Sequence, residues 1–188
     1  MKTILALSAL IMSTSLIAQD FFKTIPKAPS HYTANTVAIR MIDGLGFRYY
    51  WATEGLTEKD LTYRIGEDSR TVRETLEHIA GLSAMTASAI EGIQYQQPAG
   101  LEKMSWEDVR KLTLGQLASA RNLLVEEKDV SEAIIDFGNG RTFPFWNAIN
   151  GPIEDAIWHT GQVVMLRRAA GNPFPKGVSV FTGRQQSK

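Results

Sequence analysis

The sequence predicts an all-α fold: an up-and-down bundle of four helices, with a small hairpin before the last one. Three observations carry that expectation. Apolar residues recur at helical spacing in four long stretches between Ala34 and Ala170. Capping signals stand where several of these stretches begin. The one hairpin signal is short and flanks Gly138-Asn139-Gly140. With 188 residues, 44% of them apolar, the chain can bury a core of its own in one domain.

In chain order, Met1 and Lys2 precede an apolar and small-residue run that ends at Leu16-Ile17-Ala18. A charged start, a short apolar run and a small residue at its end describe an export signal over residues 1–19. The run falls short of the ~20 apolar residues that a membrane span requires. The mature protein is therefore expected to be exported, periplasmic or secreted, with no membrane attachment after cleavage. Residues 20–33 carry Pro26 and Pro29 without a period and read as an extended leader.

The domain proper is expected over residues 34–173. Its first helix shows Val37, Met41, Leu45, Tyr49 and Ala52 at helical spacing. Gly44 and Gly46 within it suggest a second helix in close approach. Gly55 to Asp60 reads as a turn and Leu61 to Asp68 as a connecting loop. Thr71 and Glu74 form a capping box for the second helix, which runs to about Gly92. Ser105 and Asp108 open the third, which extends to Glu127. Ile134 to Phe137 and Arg141 to Phe143 flank the glycine turn as strands. The last helical stretch runs from near Pro144 to Ala170, and Gly151-Pro152 forces a kink or a fresh start within it. Arg167 and Arg168 read as cations suited to its C-terminal end. Residues 174–188 read as an extended, mobile tail. Trp51, Trp106, Trp146 and Trp158 are expected in the core or at its rim.

Composition narrows the chemistry. Twenty basic residues balance twenty acidic ones, so no basic field favours nucleic acid as a partner. The absence of Cys excludes disulfides, thiolate metal sites and cysteine nucleophiles. The three histidines can be weighed singly. His31 lies in the leader and reads as a solvated loop residue. His159 sits mid-helix with Asp155 four residues before it, one turn away on the same face, and Gln162 three residues after. That pair can chelate a divalent ion, or form a structural Asp–His hydrogen bond. His78 lies on a stripe with Thr75, Leu82 and Met85, as a satisfied core histidine or a third ligand. The three converge only if the second and fourth helices face each other. Three protein ligands leave one coordination position open, the arrangement of catalytic zinc sites.

Taken together, Gly55-Leu56-Thr57-Glu58-Lys59-Asp60-Leu61, then Ser69 through Ile79 with His78, and finally His159-Thr160-Gly161-Gln162 resemble the DinB-like four-helix-bundle superfamily of metal-dependent hydrolases and thiol transferases. The resemblance spans residues 34–172. It implies one metal held by a His of the second helix and two residues one turn apart on the last, which fall on His78, Asp155 and His159. Many members carry a second His where this chain has Asp155. A carboxylate moves the preference towards harder ions, leaving zinc, nickel and manganese as candidates. Glu154 is the second-best ligand, displaced by about 100° around the helix. The activity implied is hydrolysis of a small molecule, in which the ion lowers the pKa of a bound water and Gln162 orients a ligand or water. Thiol transfer fits less well, because an exported protein meets few reduced thiols. The alternative is a non-catalytic bundle that binds a metal, a small molecule or a partner. A homodimer stays open.

Overall fold

The structure, a computed structural model, describes residues 21–126 and 128–186. The expected export signal, residues 1–19, lies outside the described residues. The fold is all-α, with two short hairpins. Its long helices are α1 (Ala34–Thr53), α2 (Val72–Glu91), α3 (Trp106–Glu126) and α4 (Glu154–Ala169). None of the described helices is long and apolar enough to cross a membrane.

Local chemistry sets the helix boundaries. At the start of α2, the Thr71 hydroxyl accepts from the Glu74 amide, and the Glu74 carboxylate accepts from the Thr71 amide at 2.7 Å. The helix ends at Gly92, whose φ of +78° suits a residue without a Cβ. Ser105 caps α3 by accepting from the Asp108 amide at 3.1 Å. A second box, Thr57 with Asp60, winds Glu58–Leu61 into a helical turn where a plain turn and loop were expected. Ahead of α4, Phe145–Ala148 forms one helical turn and Ile149–Ile153 a π-helical one. Gly151 there leaves helical conformation at ψ −116°, so Pro152 costs α4 no internal hydrogen bond and the helix starts afresh at Glu154.

The core is built from one face of each long helix: Ile42, Leu45 and Tyr49 of α1, Leu76 and Ile79 of α2, Val109, Leu114 and Leu117 of α3, and Val163 of α4. At the N-terminal end of α1 the buried stripe runs through Ala38 and Ile42 rather than Val37 and Met41; Val37 is exposed. Packing order around the core differs from chain order. Helix α1 packs chiefly on α3 and α4, and α2 also packs chiefly on α3 and α4. The connections over residues 54–71 and 127–153 are long enough to carry the chain across the core. As a result α2 and α4 are direct neighbours. The hairpin of strands β1 (Ile134–Asp136) and β2 (Thr142–Pro144) pairs Ile135 with Phe143 and leans on α2.

Several expectations are corrected. The leader is docked: Phe22 and Ile25 are buried, and the Phe22 ring occupies the space a Cβ at Gly46 would need. Gly46 thus admits the leader, not another helix. The segment expected as a mobile tail forms a second hairpin, β3 (Val178–Ser179) with β4 (Arg184–Gln185). The Ile25 amide donates to the Gly183 carbonyl at 2.8 Å, joining both ends of the described chain. Trp51 is buried, but Trp146 and Trp158 are 77% and 72% exposed, so they are neither core nor rim. Arg167, expected as a helix-end cation, is 2% exposed and donates to carbonyls of the C-terminal end of α1.

Candidate metal centre

Each candidate ligand position follows from local structure. The Thr71–Glu74 box fixes where α2 starts, and this places His78 two turns in, half-buried on the side that meets α4. The break at Gly151-Pro152 starts α4 at Glu154. Asp155 therefore stands in the first turn, where a carboxylate suits the helix dipole, and His159 one turn further on. Because α2 and α4 are neighbours, the three side chains meet.

His159 Nε2 lies 3.3 Å from Asp155 Oδ1, and His78 Nε2 lies 3.5 Å from Asp155 Oδ2. The two imidazoles meet edge to face, with centroids 4.5 Å apart. One potential ligand atom from each residue lies within 4.8 Å of the others, so the group can hold a metal ion. Bonds of ~2.0–2.2 Å in a tetrahedral shell put neighbouring ligands about 3.4 Å apart. The two carboxylate–imidazole separations are close to that value, each ending on a different Asp155 oxygen. Glu154, the second-best ligand on sequence grounds, is exposed and stands outside this group.

Hydrogen bonding sets the character of His159. Its Nδ1 lies 2.7 Å from Gln162 Oε1. An amide oxygen only accepts, so Nδ1 carries the hydrogen and a neutral ring keeps its Nε2 lone pair pointed at Asp155. Two acceptors facing each other at 3.3 Å call for a cation between them, either a proton or a metal ion. Gln162 Oε1 thus holds the His159 ring in one orientation. At His78 the pKa is lowered from its ordinary value. Burial is the main cause, reinforced by the charges of Arg70 and His159 and opposed by Asp155. A neutral imidazole is the metal-binding form.

Beside the triad, a cavity of about 880 Å³ opens between α4 and the segment leading into α2. His159 and Gln162 form part of its wall, together with Ile65, Arg70, Trp158 and Met165. Sequence reasoning missed Arg70, Trp158 and Met165 as site residues. A signal existed for two of them: Trp158 and Met165 are seven residues apart and share one face of α4, about 100–120° round from His159. Arg70 gave no such signal, since it comes from the loop before α2. His31 is exposed in the leader, away from the triad. No protein-family model matches this sequence, and no curated protein sequence matches it.

Proposed function

We propose that the four long helices form a DinB-like four-helix bundle holding one divalent metal ion between α2 and α4, and that the protein is a metal-dependent hydrolase of a small molecule. The observation carrying this reading is the meeting of His78, Asp155 and His159 from two helices, with the two imidazole Nε2 atoms 3.5 and 3.3 Å from the Asp155 carboxylate oxygens. A bound ion would make a coordinated water acidic and polarise the scissile group. The chain's own residues do the rest. Gln162 fixes the tautomer and orientation of His159, and Asp155 bridges the two imidazoles. The half-buried setting of His78 favours its neutral form. The cavity beside the triad offers a substrate room to reach it. Zinc, nickel and manganese are the candidate ions, the single carboxylate favouring manganese more than an all-histidine set would. Export to the periplasm or beyond fits the same reading, because hydrolysis needs no reduced thiol cofactor.

The test is metal analysis and titration calorimetry on protein purified without a His-tag. The wild type is expected to take up one ion per chain, and His78→Ala and His159→Ala are each expected to abolish stoichiometric uptake while keeping helical circular dichroism. Chelation should lower the melting temperature by the linkage RT ln(1 + [L]/Kd) without unfolding the chain. A wild type that binds none of the three ions overturns the metal reading. Uptake without any exchangeable water on the ion would favour the non-catalytic alternative.

A further inference from the structure

The cavity wall is chemically divided. Ile65, Trp158 and Met165 are large apolar side chains left 76%, 72% and 58% exposed, and all three border this one cavity. Scattered apolar residues on a surface need no explanation, but a group around one concavity beside polar ligands marks a binding site. Arg70 faces the same cavity. Among the described residues no hydrogen bond or ion pair engages its guanidinium, whereas Arg73, Arg110, Arg121 and Arg167 are all bound to protein oxygens. Asp68 also borders the cavity without pairing with Arg70. A volume of about 880 Å³ lies within the range of small-molecule sites, roughly 300–1,000 Å³.

We propose that this cavity binds a small molecule with an aromatic or aliphatic body and one oxyanionic group, and that Arg70 is the residue that holds the oxyanion. The inference rests on the function proposed above and names its substrate class. The guanidinium presents paired donors that match a carboxylate or phosphoryl group. Trp158 and Met165 cover the apolar body. With its anion at Arg70 and its body along α4, such a ligand presents its remaining end to His159. Arg70 is here a binding and specificity residue, with no part in holding the metal.

Titration calorimetry with three probes of equal body tests this: phenylacetate, phenyl phosphate and the neutral phenylacetamide. Each is titrated into the full chain, metal-free and zinc-loaded. At least one anion is expected to bind the metal-free wild type about tenfold or more tighter than the amide, the order of effect of a charged hydrogen-bonded contact. Arg70→Ala should erase that preference, and Arg70→Lys should restore part of it. Phenylacetate ahead of phenyl phosphate assigns a carboxylate substrate, and the reverse order a phosphorylated one. Equal affinity for anion and amide overturns the proposal. So does a preference that survives Arg70→Ala, or no binding by either anion up to about 10 mM. Zinc uptake is scored separately, so failure of the metal reading leaves the metal-free comparison intact. Arg70 is exposed, and unchanged circular dichroism of the variants guards against misfolding.

Discussion

Helix α4 carries two polar clusters two turns apart, and they are built in opposite ways. Around Arg167 each guanidinium nitrogen has an acceptor, while Asp60 Oδ1 is buried without a partner. Its guanidinium donates to the carbonyls of Ala52 and Glu54 at 2.8 and 2.9 Å, and to the carbonyl and side chain of Asn172 at 3.0 Å each. Asn172 donates in turn to Gly55 and to Asp60, which also accepts from Thr57. The cluster buries Arg167 and Asp60 and joins the C-terminal ends of α1 and α4 to the turn at Glu58–Leu61. Around His159 the arrangement is reversed: acceptors face one another, the groups are half-exposed, and a cavity opens beside them. A cluster paired largely within itself serves architecture. One that needs a cation to be satisfied is a candidate binding site, at some cost in stability.

Removing Arg167 should have the largest effect. Arg167→Met leaves the carbonyls of Ala52, Glu54 and Asn172 without their donor and Asp60 without the nearby positive charge, and about 3–5 kcal/mol of unfolding free energy should be lost in urea denaturation. Metal affinity should stay within a few-fold of the wild type. A mild loss of stability would erase the distinction between the clusters.

The next effect sharpens the open side. Gln162→Leu removes the acceptor at His159 Nδ1, so the ring loses its fixed tautomer and orientation. A loss of 10–100-fold in metal affinity is expected by calorimetry, the usual consequence of losing such a support. Urea stability should be unchanged, because the side chain is exposed.

The smallest effect depends on pH. Burial of Asp60 tends to raise its pKa, but hydrogen bonds from Asn172 and Thr57 and the charge of Arg167 outweigh this, and the pKa falls below the ordinary 3.8. The folded state therefore binds this proton less readily than the unfolded chain does. The stabilisation is fully present above pH 3.8 and fades as pH drops through the lower folded value. Melting curves between about pH 5 and pH 2 should show the wild type losing stability more steeply than Asp60→Asn. Parallel curves would show that the network does not depend on the Asp60 charge.

What was legible in the sequence is what short-range chemistry decides. The Thr71–Glu74 box, the stop at Gly92, the break at Gly151-Pro152 and the turn at Gly138-Asn139-Gly140 each depend on residues within a few positions of one another. The same holds for half of the candidate centre: Asp155, His159 and Gln162 share a face because a helix turns every 3.6 residues. That local grammar could not tell Arg167 from Arg168, since both sit in the last turn and only the far ends of α1 and α4 supply the acceptors that bury one of them. Nor could it separate Trp51 from Trp158, because an indole is equally at home in a core and over a cavity.

By itself the sequence determined where the helices begin and end, which residue types were left to do chemistry, and which two candidate ligands stand one turn apart. Only the tertiary structure decided that α2 and α4 are neighbours. An up-and-down sequence of helices with short links would place them diagonally, and His78 would miss the carboxylate. The long connections over residues 54–71 and 127–153 change that order around the core. Periodicity states which face of a helix must be buried, but apolar burial has no direction, so it does not state against which partner.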